Sequence, residues 1–211
     1  MRVAIGVVVV ALSGVLQPAT AATVVEAWDQ VQAPPAPVLS PVSVSAADTA
    51  LLLLDVETLT CNQERRPRCV AAVPGMAAFL GRARSAHMPV LYSNTPMGSR
   101  ETMLAPVRPQ DDEPIVKASV NKFFGTRLDD ELKARNVKTV IVCGTTAFGA
   151  VLHTATAAAQ YGYRLVVPAD CMPGGSLYEE QSTLWSLLNG PGTARAITAT
   201  TLDGINITPS H

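Results

Sequence analysis

The sequence predicts an α/β fold: a three-layer α/β/α sandwich around a central parallel sheet. Three observations lead there. Short apolar runs of strand length, Ala50–Leu54, Pro89–Asn94, Thr139–Cys143 and Tyr163–Pro168, alternate with stretches rich in helix formers. The first run holds four leucines in succession, so no face remains for water and the strand has to be buried on both sides. Strands that alternate with helices need right-handed crossovers, which give a parallel sheet covered on both faces.

Taken in order, Met1-Arg2 is a short basic start, Val3–Val15 an apolar run too short for a stable span, and Ala19-Thr20-Ala21 a small-x-small cleavage pattern. Residues 1–21 therefore read as a secretory signal, with an uncleaved anchor as the alternative. The expected address is periplasmic or secreted, with no stable membrane span after processing. Residues 22–48 read as an N-terminal arm and extended lead-in: Thr23–Asp29 suits a short helix, while Pro34, Pro35, Pro37 and Pro41 forbid regular structure. The folded domain is 49–211.

Within it, Ala50–Asp55 is a buried strand. Pro74 suits the first turn of a helix whose apolar stripe is Met76, Phe79, Leu80 and Ala83. Pro89–Asn94 is the second strand, and Thr95–Asp112 reads as a long loop of the kind that serves as a lid or binding element. Ile115-Val116 is a short strand, and Arg127–Asn136 a helix anchored by Leu128 and Leu132. Thr139–Cys143, Ala147–Tyr161 and Tyr163–Pro168 follow as strand, central helix and strand. Tyr178–Leu188 is helical with Leu184, Trp185 and Leu188 as its packing stripe, and Ala194–Ala199 is the last strand. Tyr92, Phe123, Phe124 and Trp185 are assigned to the core, with Phe123 the best placed to wall a pocket.

At 211 residues with a formal net charge of -1 and no basic block, the chain offers no electrostatic case for nucleic acid or an anionic membrane. No glycine-rich phosphate loop follows any strand, so a nucleotide cofactor is not expected, and none other is implied. His87, His153 and His211 are scattered, so no metal site is expected. An oxidising address gives the four cysteines a use. Four cysteines allow three pairings, and the sequence does not choose among them; the favoured one, Cys61 with Cys69, would close a small loop worth roughly 2–3 kcal/mol and leaves Cys143 and Cys171 free.

Three features lie in a telling order. Asp55 ends the first strand; Lys117 follows Ile115-Val116 and precedes Asn121-Lys-Phe-Phe-Gly-Thr126; and Gly144-Thr-Thr-Ala-Phe-Gly-Ala150 makes a small-residue turn from strand to helix. Such a turn sets unpaired backbone N–H groups at the carboxyl end of a sheet, where a ligand can approach. The pattern resembles the isochorismatase-like, or cysteine hydrolase, superfamily over about 49–170. The resemblance implies a hydrolase with a Rossmann-like parallel sheet and a small-molecule substrate. It also implies a cis peptide at Thr145–Thr146 and a homo-oligomeric assembly, since relatives form dimers or tetramers.

In that family the seventh residue of the turn is a nucleophilic cysteine; here it is Ala150. A thioester route is therefore closed, and Cys143 and Cys61 are poor substitutes, the one a strand residue and the other committed to a bridge. Isochorismatases also lack the cysteine and cleave a vinyl ether with an aspartic acid as general acid and a lysine nearby. On that pattern Asp55 and Lys117 are the acid/base pair, with Lys122 as the competitor for the lysine's role. The backbone of Thr145, Thr146 and Gly149 makes an anion-binding rim, and Asn121 and Phe123 contact substrate. Two other readings keep the same fold: a pseudoenzyme that binds without turnover, and an alanine introduced in place of a native cysteine.

Overall fold

The computed structural model describes residues 21–209, and the signal segment lies largely outside them. Residues 21–36 form a unit by themselves, in which Glu26 accepts hydrogen bonds from the amide and hydroxyl of Thr23 and Trp28–Gln30 makes a 3-10 turn.

The larger unit is an α/β sandwich with a six-stranded sheet in which every pairing is parallel. Its strands are β2 (Thr49–Leu54), β3 (Val90–Asn94), β4 (Ile115–Lys117), β5 (Thr139–Gly144), β6 (Arg164–Pro168) and β7 (Ile197–Thr200). Across the sheet they run β4-β3-β2-β5-β6-β7. The helices are α1 (Pro67–Ser85), α2 (Leu128–Ala134), α3 (Leu152–Gln160) and α4 (Leu177–Asn189). The alternation of side chains along a strand divides the core. Leu51, Leu53, Ile141 and Val166 join the cluster built with α1, whereas Leu52, Leu54, Val140, Val142, Leu165 and Val167 join the one built with α2, α3 and α4. All six residues of β2 are buried, as a strand covered on both faces requires.

Several features depart from the sequence expectation. Pro67, not Pro74, occupies the first turn of α1, and Pro74 sits inside the helix. Pro67 fixes φ where no N–H is needed, and the Cys61–Cys69 bridge pins that turn. The lead-in and the tail meet: β1 (Val42–Ser45) and β8 (Ile205–Thr208) pair in parallel as a small second sheet and send Val44 and Ile205 into the α1 cluster. Cys143 and Cys171 are not free. β5 and β6 are neighbours, so the end of β5 and the 3-10 turn Ala169–Cys171 that follows β6 bring the two cysteines to a Cα separation of 5.0 Å as a second disulfide. Phe124 and Trp185 are exposed rather than core, and α4 packs through Thr183, Leu184 and Leu187.

Candidate active site

The chain runs from β2 outward to β3 and β4, then crosses back to start β5 beside β2 and runs outward the other way. The crevice at such a reversal, outside the carboxyl ends of the strands, is where open α/β sheets bind ligands. Here the two strands meet with Leu54 opposite Gly144, so the next residue of each, Asp55 and Thr145, faces that crevice. Gly144 has φ +132°, and a Cβ there would come 2.2 Å from the Leu54 carbonyl oxygen; only glycine permits this approach. Thr145 N–H then donates to Leu54 O at 2.9 Å.

Asp55 has φ +52°, a left-handed conformation that aspartate tolerates better than most residues and that concentrates at functional sites. Its buried carboxylate caps no turn. Ser93 Oγ donates to Oδ1 at 2.7 Å, and Lys122 Nζ pairs with Oδ2 at 2.7 Å. Burial pushes the Asp55 pKa up, and although Lys122 and Ser93 pull it down, burial prevails. The result is a carboxyl that keeps its proton to higher pH than an ordinary aspartate, with an ammonium in contact.

That ammonium is not the one expected. Lys117 ends the edge strand β4, opposite Asn94, and is exposed beside a hollow of about 290 Å³ that it lines with Arg127 and Glu131. Lys122 is wholly buried, and its remaining donors go to Ala118 O at 2.9 Å and Asn94 O at 3.5 Å. The chain returns to the crevice because Thr154, on α3, clamps it: its hydroxyl donates to Val120 O and accepts from Lys122 N–H, both at 3.2 Å. Neither Ser93 nor Thr154 stood out in the sequence, since one is a strand serine and the other a helix threonine.

The turn after β5 is held from beyond β6. Pro173 O accepts from Thr145 Oγ1 at 3.0 Å and from Ala147 N–H at 3.2 Å. The Thr145–Thr146 peptide is cis. Thr146 O accepts from both Gly149 and Val151 N–H across the π-helical turn Ala147–Val151, while Thr146 N–H has no acceptor among the described residues. Gly149 is needed, because a Cβ would stand 2.8 Å from Thr146 Cγ2. Ala150 is buried in this turn and brings no reactive group.

The other expected contacts divide. Asn121 Oδ1 accepts from Phe123 N–H at 3.0 Å and shapes the turn that returns Lys122. Phe123 is buried with its ring stacked on Tyr161 at 4.9 Å, so that face is used in packing. His153 is exposed on α3. The long loop after β3 is pinned by Glu57, a buried carboxylate that sequence reading passed over. It accepts from Asn94 Nδ2 (2.8 Å), Thr95 N–H (3.1 Å), Thr95 Oγ1 (2.6 Å) and Thr102 Oγ1 (2.9 Å). Burial alone would raise its pKa, but these donors outweigh it and hold Glu57 below its ordinary value. Gly98 lies directly on the carboxylate, where a Cβ would come 1.7 Å from Oε2.

The hollow of about 620 Å³ between α3, α4 and β7, lined by residues such as Tyr163, Arg164 and Arg195, lies toward the opposite rim of the sheet and includes neither Asp55 nor Lys122. It is larger than the recess beside Lys117, but the charge arrangement and the reversal of strand order are what mark the Asp55 crevice.

Comparison with known proteins bears on the family and the fold. Residues 49–201 match the Isochorismatase domain family. The isochorismatase family protein YwoC of Bacillus subtilis (strain 168) is 36% identical over 73 residues, covering 35% of this chain and 39% of that protein. YaaI of the same organism is 24% identical over 172 residues, 69% of this chain and 92% of that protein. Among solved structures, an isochorismatase family protein from Desulfovibrio vulgaris superposes with a TM-score of 0.66 at 21% identity, over 74% of this chain and 95% of that one. A nicotinamidase from Staphylococcus aureus superposes with a TM-score of 0.64 at 19% identity, over 74% and 99%.

Proposed function

The chain belongs to the isochorismatase family, and from that premise we propose that it is an exported hydrolase of a small organic substrate, working by acid/base chemistry without a thiol. The observation that carries this reading is the Asp55 carboxyl at the reversal of the sheet, 2.7 Å from both the Ser93 hydroxyl and the Lys122 ammonium. A buried acid whose pKa is raised holds its proton to higher pH than an ordinary aspartate, and a neighbouring ammonium limits the cost of the carboxylate left behind. Asp55 acts as general acid on a vinyl ether: it protonates the vinyl carbon, water adds to the resulting cation and returns a proton to the Asp55 carboxylate, and the hemiketal collapses by breaking its C–O bond to a carbonyl compound and an alcohol. Lys122, in the role first expected of Lys117, and Ser93 stabilise the resulting carboxylate. The Thr146 N–H, without an acceptor among the described residues, is a donor left for a polar group of the substrate.

Export is supported by the two disulfides, which suit an oxidising compartment, and by the signal-like residues 1–21. The described residues contain no helix long and apolar enough to cross a membrane. A homo-oligomer remains the expectation for the assembly. The test is a mass-spectrometric screen of the wild-type chain against vinyl ethers, esters and amides, repeated with Asp55→Asn. Turnover that falls at least a hundredfold in the variant, with its circular dichroism unchanged, is the expected result. Equal rates would remove Asp55 from the mechanism, and ligand binding without product would establish a pseudoenzyme.

A further inference from the structure

The loop closed by Cys61–Cys69 holds Arg66 against the turn that follows β2. Arg66 Nη1 donates to Thr60 O at 2.8 Å, and the Thr60 hydroxyl in turn donates to the Asp55 carbonyl and, at 3.2 Å, to that of Glu57. The guanidinium is thus tied to the backbone turn that presents the acid. Glu179 acts on it electrostatically; the Glu179 carboxylate accepts from Gly175 N–H at 2.6 Å and lies 3.5 Å from Thr146 Oγ1, on the turn that follows β5. Next to it, Arg68 grips Glu180 through two bonds of 2.7 and 2.5 Å, clasping the disulfide loop onto the first turn of α4.

Arg66, two residues before Arg68, is half-buried. Burial and the adjacent Arg65 press its pKa down, while the fields of Glu179 and Asp55 press it up. Neither carboxylate comes within 4.0 Å of it, whereas Arg68, Lys122 and Arg84 each have such a partner. Among the described residues its one acceptor is the Thr60 carbonyl, which leaves most of its donor fork unused. A guanidinium is charged at every relevant pH, and its fork matches a carboxylate with two parallel hydrogen bonds. Lys122 cannot serve in its place, because its donors are consumed by Asp55 and two carbonyls.

We propose that Arg66 is a specificity-determining residue that selects small substrates bearing a carboxylate, which it receives while Asp55 acts on another atom of the same molecule. This deepens, and rests on, the assignment of the crevice as the hydrolytic site. A charge-assisted pair of this kind favours the anion over its neutral amide by on the order of ten- to a hundredfold.

The experiment is equilibrium binding of benzoate and butyrate, each against its own amide, to the full chain and to Arg66→Gln and Arg66→Lys, with circular dichroism as the check on folding. The wild-type chain binds each carboxylate at least tenfold more tightly than the amide. Arg66→Gln erases that preference, and Arg66→Lys restores part of it as a point charge without the fork. A wild-type chain that binds neither carboxylate, or prefers the amides, overturns the proposal, as does a preference that survives in Arg66→Gln. Because binding is read without turnover, Arg66 can fail here with the acid role of Asp55 intact, and that role can fail in the hydrolysis screen with Arg66 intact.

Discussion

Two carboxylates stand two residues apart at the end of β2, both buried, and the chain treats them in opposite ways. Asp55 meets one hydroxyl and one ammonium, and burial leaves its pKa raised. Glu57 meets neutral donors from Asn94, Thr95 and Thr102, which overcome burial and leave its pKa lowered. The contrast separates chemistry from architecture. A carboxylate wrapped in hydrogen bonds is satisfied as an anion and has no proton to give; Glu57 therefore anchors the long loop after β3. A carboxyl that is buried and only partly compensated sits nearer the balance between its two forms, which is what proton transfer requires.

The sharpest way to break the contrast is Lys122→Met. It leaves the buried Asp55 without its cation, and urea denaturation at pH 7 should show a loss of about 3–5 kcal/mol. The loss should shrink as pH falls and Asp55 takes up a proton. A loss under ~1 kcal/mol would mean that the ion pair matters little to the folded state. Glu57→Gln comes next, at about 1–3 kcal/mol, because an amide N–H₂ would face the Asn94 or Thr95 donors. The wild-type contribution of Glu57 has the sign of a depressed carboxylate: it is fully present above its ordinary 4.5 and is lost as pH falls through the lower folded value. Asp55 has the opposite sign, since stability linked to it is present below 3.8 and is lost as pH rises through its elevated folded value. Lys117→Ala is the smallest change. An exposed lysine at a sheet edge should alter stability by less than ~0.5 kcal/mol and leave turnover unchanged. A large effect on turnover would return Lys117 to the mechanism.

The confusion of Lys117 with Lys122 shows what a sequence can and cannot carry. β2, β3, β5 and β6 were legible because each is largely an apolar run, and Asp55 because it ends one, whereas β7 alternates with threonine and lies later in the chain than the 194–199 expected. The identity of the lysine depends on how the chain turns between 118 and 122, and that turn is set by the Thr154 hydroxyl 32 residues away. No local pattern encodes a contact of that span. Cys143 and Cys171 escaped for a similar reason, since their meeting requires β5 and β6 to be neighbours and the chain after β6 to bend back. β1 and β8 are different. Val42-Ser-Val-Ser and Ile205-Asn-Ile-Thr both alternate with the period of a strand, but the prolines before the first and the shortness of both masked the signal.

The central claim is that Asp55 is a proton donor and Glu57 an anchor, and one titration reads both. Carboxyl ¹³C resonances of the labelled chain, assigned with Asp55→Asn and Glu57→Gln, should show Asp55 titrating above 3.8 and Glu57 below 4.5. An Asp55 midpoint at or below 3.8, with Glu57 the later of the two to lose its proton, would contradict the account.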